Sequence, residues 1–146
     1  LTAAGGQAAH VPCDVADRAA VERVAEVAHQ RFGGFDTWVN NAGVGLWAKL
    51  EDVTEADARR LFDTNFWGLV HGCQVALKTL KSRGGALVNV GSVVSDTTFP
   101  VQGIYIASKH AVLGFTDSLR QELMHDNAQV SLTLVRPAAI DTPFTL

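Results

Sequence analysis

Ala86-Leu87-Val88-Asn89-Val90-Gly91-Ser92 is a short apolar run that stops at Gly-Ser, and a loop over 93–103 follows it. From about Ile104 to His125 the apolar residues fall at helical spacing, with Ala111, Val112, Phe115, Leu119 and Leu123 on one face. A second apolar run, Val130 to Val135, comes next, and Pro137 breaks it. Two strands joined by a crossover helix lie parallel, because a tight hairpin cannot connect them. This unit points to an α/β fold with a doubly wound, Rossmann-like parallel sheet.

The same alternation continues upstream. Ala8 to Cys13 reads as a strand, and Asp17 caps a helix running to about Phe32. Its apolar stripe is Val21, Val24, Ala25, Ala28 and Phe32, and Gly33-Gly34 ends it. Phe35 to Asn40 is a further strand, closed by Asn41-Ala42-Gly43. Thr54, with Asp57 three residues on as a capping box, opens a long helix. Its stripe runs through Ala58, Leu61, Phe62, Phe66, Leu69, Cys73, Ala76, Leu77 and Leu80 until Gly84-Gly85 stops it.

Composition narrows the function classes. The 146 residues are 47 % hydrophobic and 18 % charged with net charge −3, which suits a globular domain with one core. No stripe of Lys or Arg suggests nucleic acid or an anionic membrane as partner. No apolar run approaches the roughly 20 residues that span a bilayer. The two cysteines, Cys13 and Cys73, and the five histidines lack metal-ligand spacing, so free thiols in a reducing, cytoplasmic setting and no metal are expected.

Several residues carry chemistry where a parallel sheet places it, at the carboxyl ends of strands. Tyr105 and Lys109 stand i and i+4 on a helix, so they share a face. An ammonium near a phenol favours the phenolate and lowers its pKa from about 10, which suits a group that gives and takes a proton. Ser92, thirteen residues before Tyr105, can orient a substrate oxygen. Asn65 sits mid-helix, where Asn is a poor helix former; it fixes a water, faces solvent or marks a local irregularity. Asn40-Asn41-Ala42-Gly43 lets a ligand approach the backbone closely. Each feature alone also has an ordinary reading, as a turn, a cap or a chance pair.

Taken in order, these residues resemble the short-chain dehydrogenase/reductase family in its common single-domain branch. Asn40 to Gly43 resembles the NNAG element; Ser92, Tyr105 and Lys109 resemble the catalytic serine and the YxxxK pair. Asn65 resembles the helix asparagine that anchors a relay water. Asp14-Val15 resembles the acidic dipeptide that meets adenine, and Pro137 to Thr142 resembles the PGxxxT segment that meets the nicotinamide. The resemblance implies hydride exchange between NAD or NADP and a small alcohol or ketone. It implies Asn65, Ser92, Tyr105 and Lys109 as the catalytic set. It implies a cofactor held by Asp14, Val15, Asn41, Ala42, Gly43, Tyr105, Lys109, Pro137, Ile140 and Thr142. It also implies a homodimer or homotetramer through helices 54–81 and 104–125. The alternative is a nucleotide-binding or scaffold protein on the same fold without turnover; a sugar-nucleotide epimerase fits the Asn40–Gly43 element less well.

Two departures stand out. Ala138 occupies a position where the family usually has Gly; were φ positive there, Ala would cost about 1–2 kcal/mol. The Gly-rich loop after the first strand is not in this sequence. By resemblance the strands near 8–13, 35–40, 86–90 and 130–135 are the family's third to sixth, so residues 1–146 are expected to form a partial domain. The natural chain is expected to extend at both ends, by on the order of 50 residues at the front, and the fragment is expected not to fold alone. Trp47, Val94, Thr98, Phe99 and Val101 suggest a partly apolar substrate pocket.

Overall fold

The computed structural model describes residues 2–140. Three strands form one parallel sheet, β1 (Thr37–Asn40), β2 (Gly85–Val90) and β3 (Val130–Val135), in that spatial order. The helices are α1 (Arg18–Phe32), α2 (Glu55–Phe62), α3 (Gly68–Arg83) and α4 (Gly103–His125). Trp38 pairs with Leu87 and Leu87 with Leu132, so one side chain from each strand points to a common face.

That face carries the core. Leu87 packs with Leu69, Cys73, Ala76 and Leu80 of α3, with Val112, Leu119 and Leu123 of α4, and with Val130. Val21 and Ala25 of α1 meet Val75 of α3 beside Trp38. Phe32 does not join this stripe and lies half-exposed at the helix end. On the opposite face Thr37, Val39, Ser131, Thr133 and Val135 are exposed.

Helix ends follow the local chemistry. The Asp17 carboxylate accepts from the Ala19 N–H, and Gly33 closes α1 with φ 76°. Gly85 begins β2 at φ 142°, and a Cβ there would lie 2.3 Å from the Asp36 carbonyl, so only glycine fits. Thr54 caps α2 through the Asp57 N–H.

Two differences from expectation matter. Residues 8–13 form no strand. A strand needs a ladder partner, and β1, the edge of the described sheet nearest in the family order, is paired only to β2. The long helix is not uniformly α either. Asp63–Trp67 forms a π-helical turn between α2 and α3, centred on Asn65.

A buried polar chain ties sheet to helices. Trp38 Nε1 donates to Asn40 Oδ1 (2.8 Å), Asn40 Nδ2 to Asn89 Oδ1 (2.9 Å), and Asn89 Nδ2 to Thr116 Oγ1 (3.0 Å). Asn89 and Thr116 are both fully buried. Replacing Thr116 with Val keeps the shape but removes the acceptor for a buried amide donor. Thr116→Val should therefore lower the unfolding free energy of the intact protein by about 1–3 kcal/mol, with Thr116→Ser close to wild type. Urea denaturation of both variants tests this, and equal midpoints would show that the bond adds nothing.

Candidate active site

The carboxyl ends of β1 and β2 and the first turn of α4 face one cleft of about 830 Å³. Ser92, Tyr105 and Lys109 line it together with Asn41, Ala42 and Gly43. Pro137 to Ile140 form its far side.

Ser92 follows Gly91 at the end of β2 and caps a short 3-10 turn at Val93–Ser95. Its Oγ accepts from the Val94 N–H (3.3 Å), which leaves the hydroxyl hydrogen for the Tyr105 phenol on the cleft side. The Ser92 N–H in turn donates to Ser95 Oγ (3.0 Å), so a fully buried second serine fixes the turn. The Val93 N–H donates to the Pro137 carbonyl (3.0 Å), which brings the end of β3 over this turn. Ala138 sits there without a positive φ, so the glycine-to-alanine departure carries no backbone penalty.

Tyr105 is buried in the first turn of α4, and its side chain hydrogen-bonds to that of Ser92. Burial raises the phenol above its ordinary value, and the Ser92 bond offsets part of that rise. Lys109 is 5 % exposed; burial pushes its ammonium down to about 8. Its Nζ donates to the Val90 carbonyl (3.1 Å) and lies 5.8 Å from the Tyr105 ring centroid. The pair meets as the i, i+4 spacing predicts, but the phenol is not lowered. Burial of the phenol is the largest influence on it, and the only opposing one is the Ser92 hydrogen bond.

Asn65 stands behind the cleft. Its Oδ1 accepts from the Val44 N–H (2.8 Å), and its Nδ2 donates to the Val44 carbonyl (2.9 Å) and to Ser108 Oγ (3.2 Å). Both amide donors are thus committed to the protein. Ser108 passes its own proton to the Tyr105 carbonyl (2.7 Å). The π-helical turn therefore pins the loop after Gly43 and, through Ser108, the turn that carries Tyr105. Of the readings open for Asn65, the local irregularity is present and the solvent-facing one is not, since the side chain is buried.

The structure does not bring every predicted residue to this cleft. Val15 lines a separate trough of about 200 Å³, along with Cys13, Trp38 and Gly72, and Asp14 lines neither space. Asn41 and Ala42 border both spaces. Asp14 pairs with Arg60 (3.3 Å) and accepts from the Ala16 N–H, while the Val15 carbonyl meets His71 Nδ1 at 3.2 Å. Thr142 lies outside the described residues.

Sequence reading missed Ser95, Ser108, His71 and Arg136, whose Nε meets the Ser92 carbonyl at 3.4 Å. A hydroxyl three residues after Tyr105 and another three after Ser92 were the available signals. Among the described residues no helix is long and apolar enough to cross a membrane.

Comparison with known proteins agrees with this geometry. An uncharacterised oxidoreductase of Bacillus subtilis, YxnA, is 47 % identical over 96 % of this chain and 40 % of its own length. A 3beta-hydroxysteroid dehydrogenase of Mediterraneibacter gnavus is 34 % identical over 97 % of this chain and 51 % of its own. A short-chain dehydrogenase/reductase from Burkholderia phymatum, solved in complex with NAD, superposes with TM-score 0.95 at 33 % identity, covering 98 % of this chain and 52 % of that one. An alcohol dehydrogenase from Thermococcus sibiricus, complexed with 5-hydroxy-NADP, gives 0.82 at 30 % identity, covering 90 % and 55 %. The chain spans about half the length of such relatives. With the short chain dehydrogenase family model matching residues 1–146, on a parallel sheet that ends in this cleft, the chain belongs to the short-chain dehydrogenase family.

Proposed function

We propose that the intact protein is an NAD- or NADP-dependent oxidoreductase that interconverts a secondary or primary alcohol and its carbonyl. One observation carries this reading: a buried phenol hydrogen-bonds to a serine hydroxyl beside a buried ammonium, all three facing one cleft. The relatives' names and the NAD- and NADP-bound structures support it.

The residues fit the nicotinamide end of such a cofactor. Ala42, Gly43, Ala138 and Ala139 give part of the cleft wall only small side chains, so a flat ring can lie against backbone there. A Cβ at Gly43 would lie 3.4 Å from Asn65 Oδ1 and 3.8 Å from Lys109 Nζ, narrowing the space above the ammonium. Pro137, Ile140 and Thr142 are assigned to the nicotinamide side, and Asn41, Asp14 and Val15 to the adenosine side. When bound, the nicotinamide supplies the two-electron exchange at the carbinol carbon.

The chain's own residues handle the proton. Ser92 donates its hydroxyl hydrogen to the substrate oxygen and holds that oxygen against Tyr105. Tyr105 takes the alcohol proton during oxidation and returns it during reduction. Lys109 spends one N–H on Val90 and turns the others toward the ribose, where its charge favours the phenolate once cofactor fills the cleft. Asn65 positions Val44 and Ser108, and its remaining lone pair is the place for a relay water. Subunits associate through the long helices spanning 55–83 and 103–125, where Trp67 and Met124 lie exposed. The free thiols Cys13 and Cys73 suit the cytoplasm.

Tyr105→Phe in the intact protein should lower turnover by about 10²–10⁴-fold while NAD(P)H affinity by fluorescence titration stays within severalfold. Full turnover in this variant would remove Tyr105 from the chemistry.

Lys109 gives a pH test of its burial. The unfolded chain holds this proton to about 10.5, the folded chain releases it near 8, and so the unfolded state binds more protons between those values. The stability contribution of Lys109 therefore rises with pH across that window. Relative to Lys109→Met, the melting temperature of the cofactor-free wild type should climb between about pH 7.5 and 10. Parallel melting curves across that range would contradict a buried ammonium.

A further inference from the structure

We propose that Trp47 sets the substrate class of this site, selecting an uncharged carbinol or ketone whose larger substituent is apolar and flat, such as an aryl or fused-ring group. The proposal rests on the dehydrogenase reading above and names what that site accepts.

Trp47 lies at the cleft mouth with its ring nearly parallel to that of Tyr105, centroids 6.1 Å apart at 21°. Its indole folds back over Gly45, where a Cβ would lie 2.1 Å from the ring, so the indole's place depends on glycine at that position. The loop bearing it is held from the other side as well. The Ala48 N–H donates to the Val101 carbonyl (2.9 Å), and Val101 adopts φ 58°, a left-handed conformation that is costly for a β-branched residue. This bond joins the Trp47 loop to the loop carrying Phe99, which lines the same cleft. Trp47 and Phe99 are about half-exposed, at 46 % and 57 %, although large apolar side chains gain free energy by burial.

The charges in the cleft complete the case. Among its described lining residues Lys109 is the only one with a formal charge, and that ammonium sits behind Tyr105 on the Val90 carbonyl. A carboxylate or phosphate on the carbinol's neighbour would enter a space that offers, among the described residues, no Arg or further Lys to receive it. A flat apolar group placed on Trp47 instead gains contact area and offset stacking while its carbinol oxygen reaches Ser92 and Tyr105.

The test uses the intact protein with NAD and with NADP, and three alcohols: 1-phenylethanol, 2-propanol and lactate. Wild type should prefer 1-phenylethanol to both others in kcat/KM. The ratio for 1-phenylethanol over 2-propanol should fall about tenfold in Trp47→Ala. It should also fall in Trp47→Leu, which keeps apolar bulk without the flat face, and stay within threefold in Trp47→Phe. An unchanged ratio in Trp47→Ala and Trp47→Leu, or lactate preferred by wild type, overturns the assignment while leaving the dehydrogenase reading in place. No turnover of any of the three by wild type, with either cofactor bound, overturns both.

Discussion

The amide of Asn89, fully buried near the carboxyl end of β2, the middle strand of the sheet, is the constraint on which the rest of the molecule depends. It takes a hydrogen bond from Asn40 on β1, gives one to Thr116 on α4 and approaches the Cys73 thiol on α3. A side chain with no water in reach must find all its partners in the protein, and only one spacing of strands and helices provides them. Leucine packing around Leu87 supplies the driving force but tolerates sliding; the amide chain does not. It fixes the axial position of α4 against the sheet, and with it the height of Tyr105 relative to the end of β2.

The cleft inherits that order and adds a second fixed amide. Asn65 holds both polar groups of the Val44 backbone and, through Ser108, the turn of α4 at Tyr105. The π-helical turn is the geometric means: one extra residue in a helical turn rotates Asn65 away from the α-helical phase and toward the loop after β1. The two groups that would handle the proton then sit in dry surroundings that push them in opposite directions. The phenol rises, the ammonium falls, and each becomes easier to hold in its neutral form. Filling the cleft with a charged ring changes that balance more than it would in a solvated site.

What was legible in the sequence was local. β2 and β3 appeared because apolar runs end at Gly-Ser and before a proline, α1 because a cap and a 3.6-residue stripe agree, and α4 because of its stripe alone. The Ser92, Tyr105 and Lys109 convergence followed from strand ends and one helical turn. What was illegible depended on distant partners. Residues 8–13 have strand-like composition but no ladder. Asn65 advertised an irregularity, yet its partner Val44 is 21 positions away in the chain. Ser95 and Ser108 carry no periodic signal because a small hydroxyl fits nearly any pattern. The direction of the Tyr105 shift was misjudged because spacing reports proximity to Lys109 and says nothing about how little water reaches either group.

Val101 shows how the two halves of the cleft mouth are made to act as one. A β-branched residue held in a left-handed turn is poised like a bent spring, kept bent by the bond from its carbonyl to Ala48 and by the turn leading into α4. Relaxing that backbone would relieve the segment and shift the carbonyl that receives the Ala48 N–H, so the Trp47 loop would move with it. A substitution that eased the strain at this one position would therefore be felt in both loops at once.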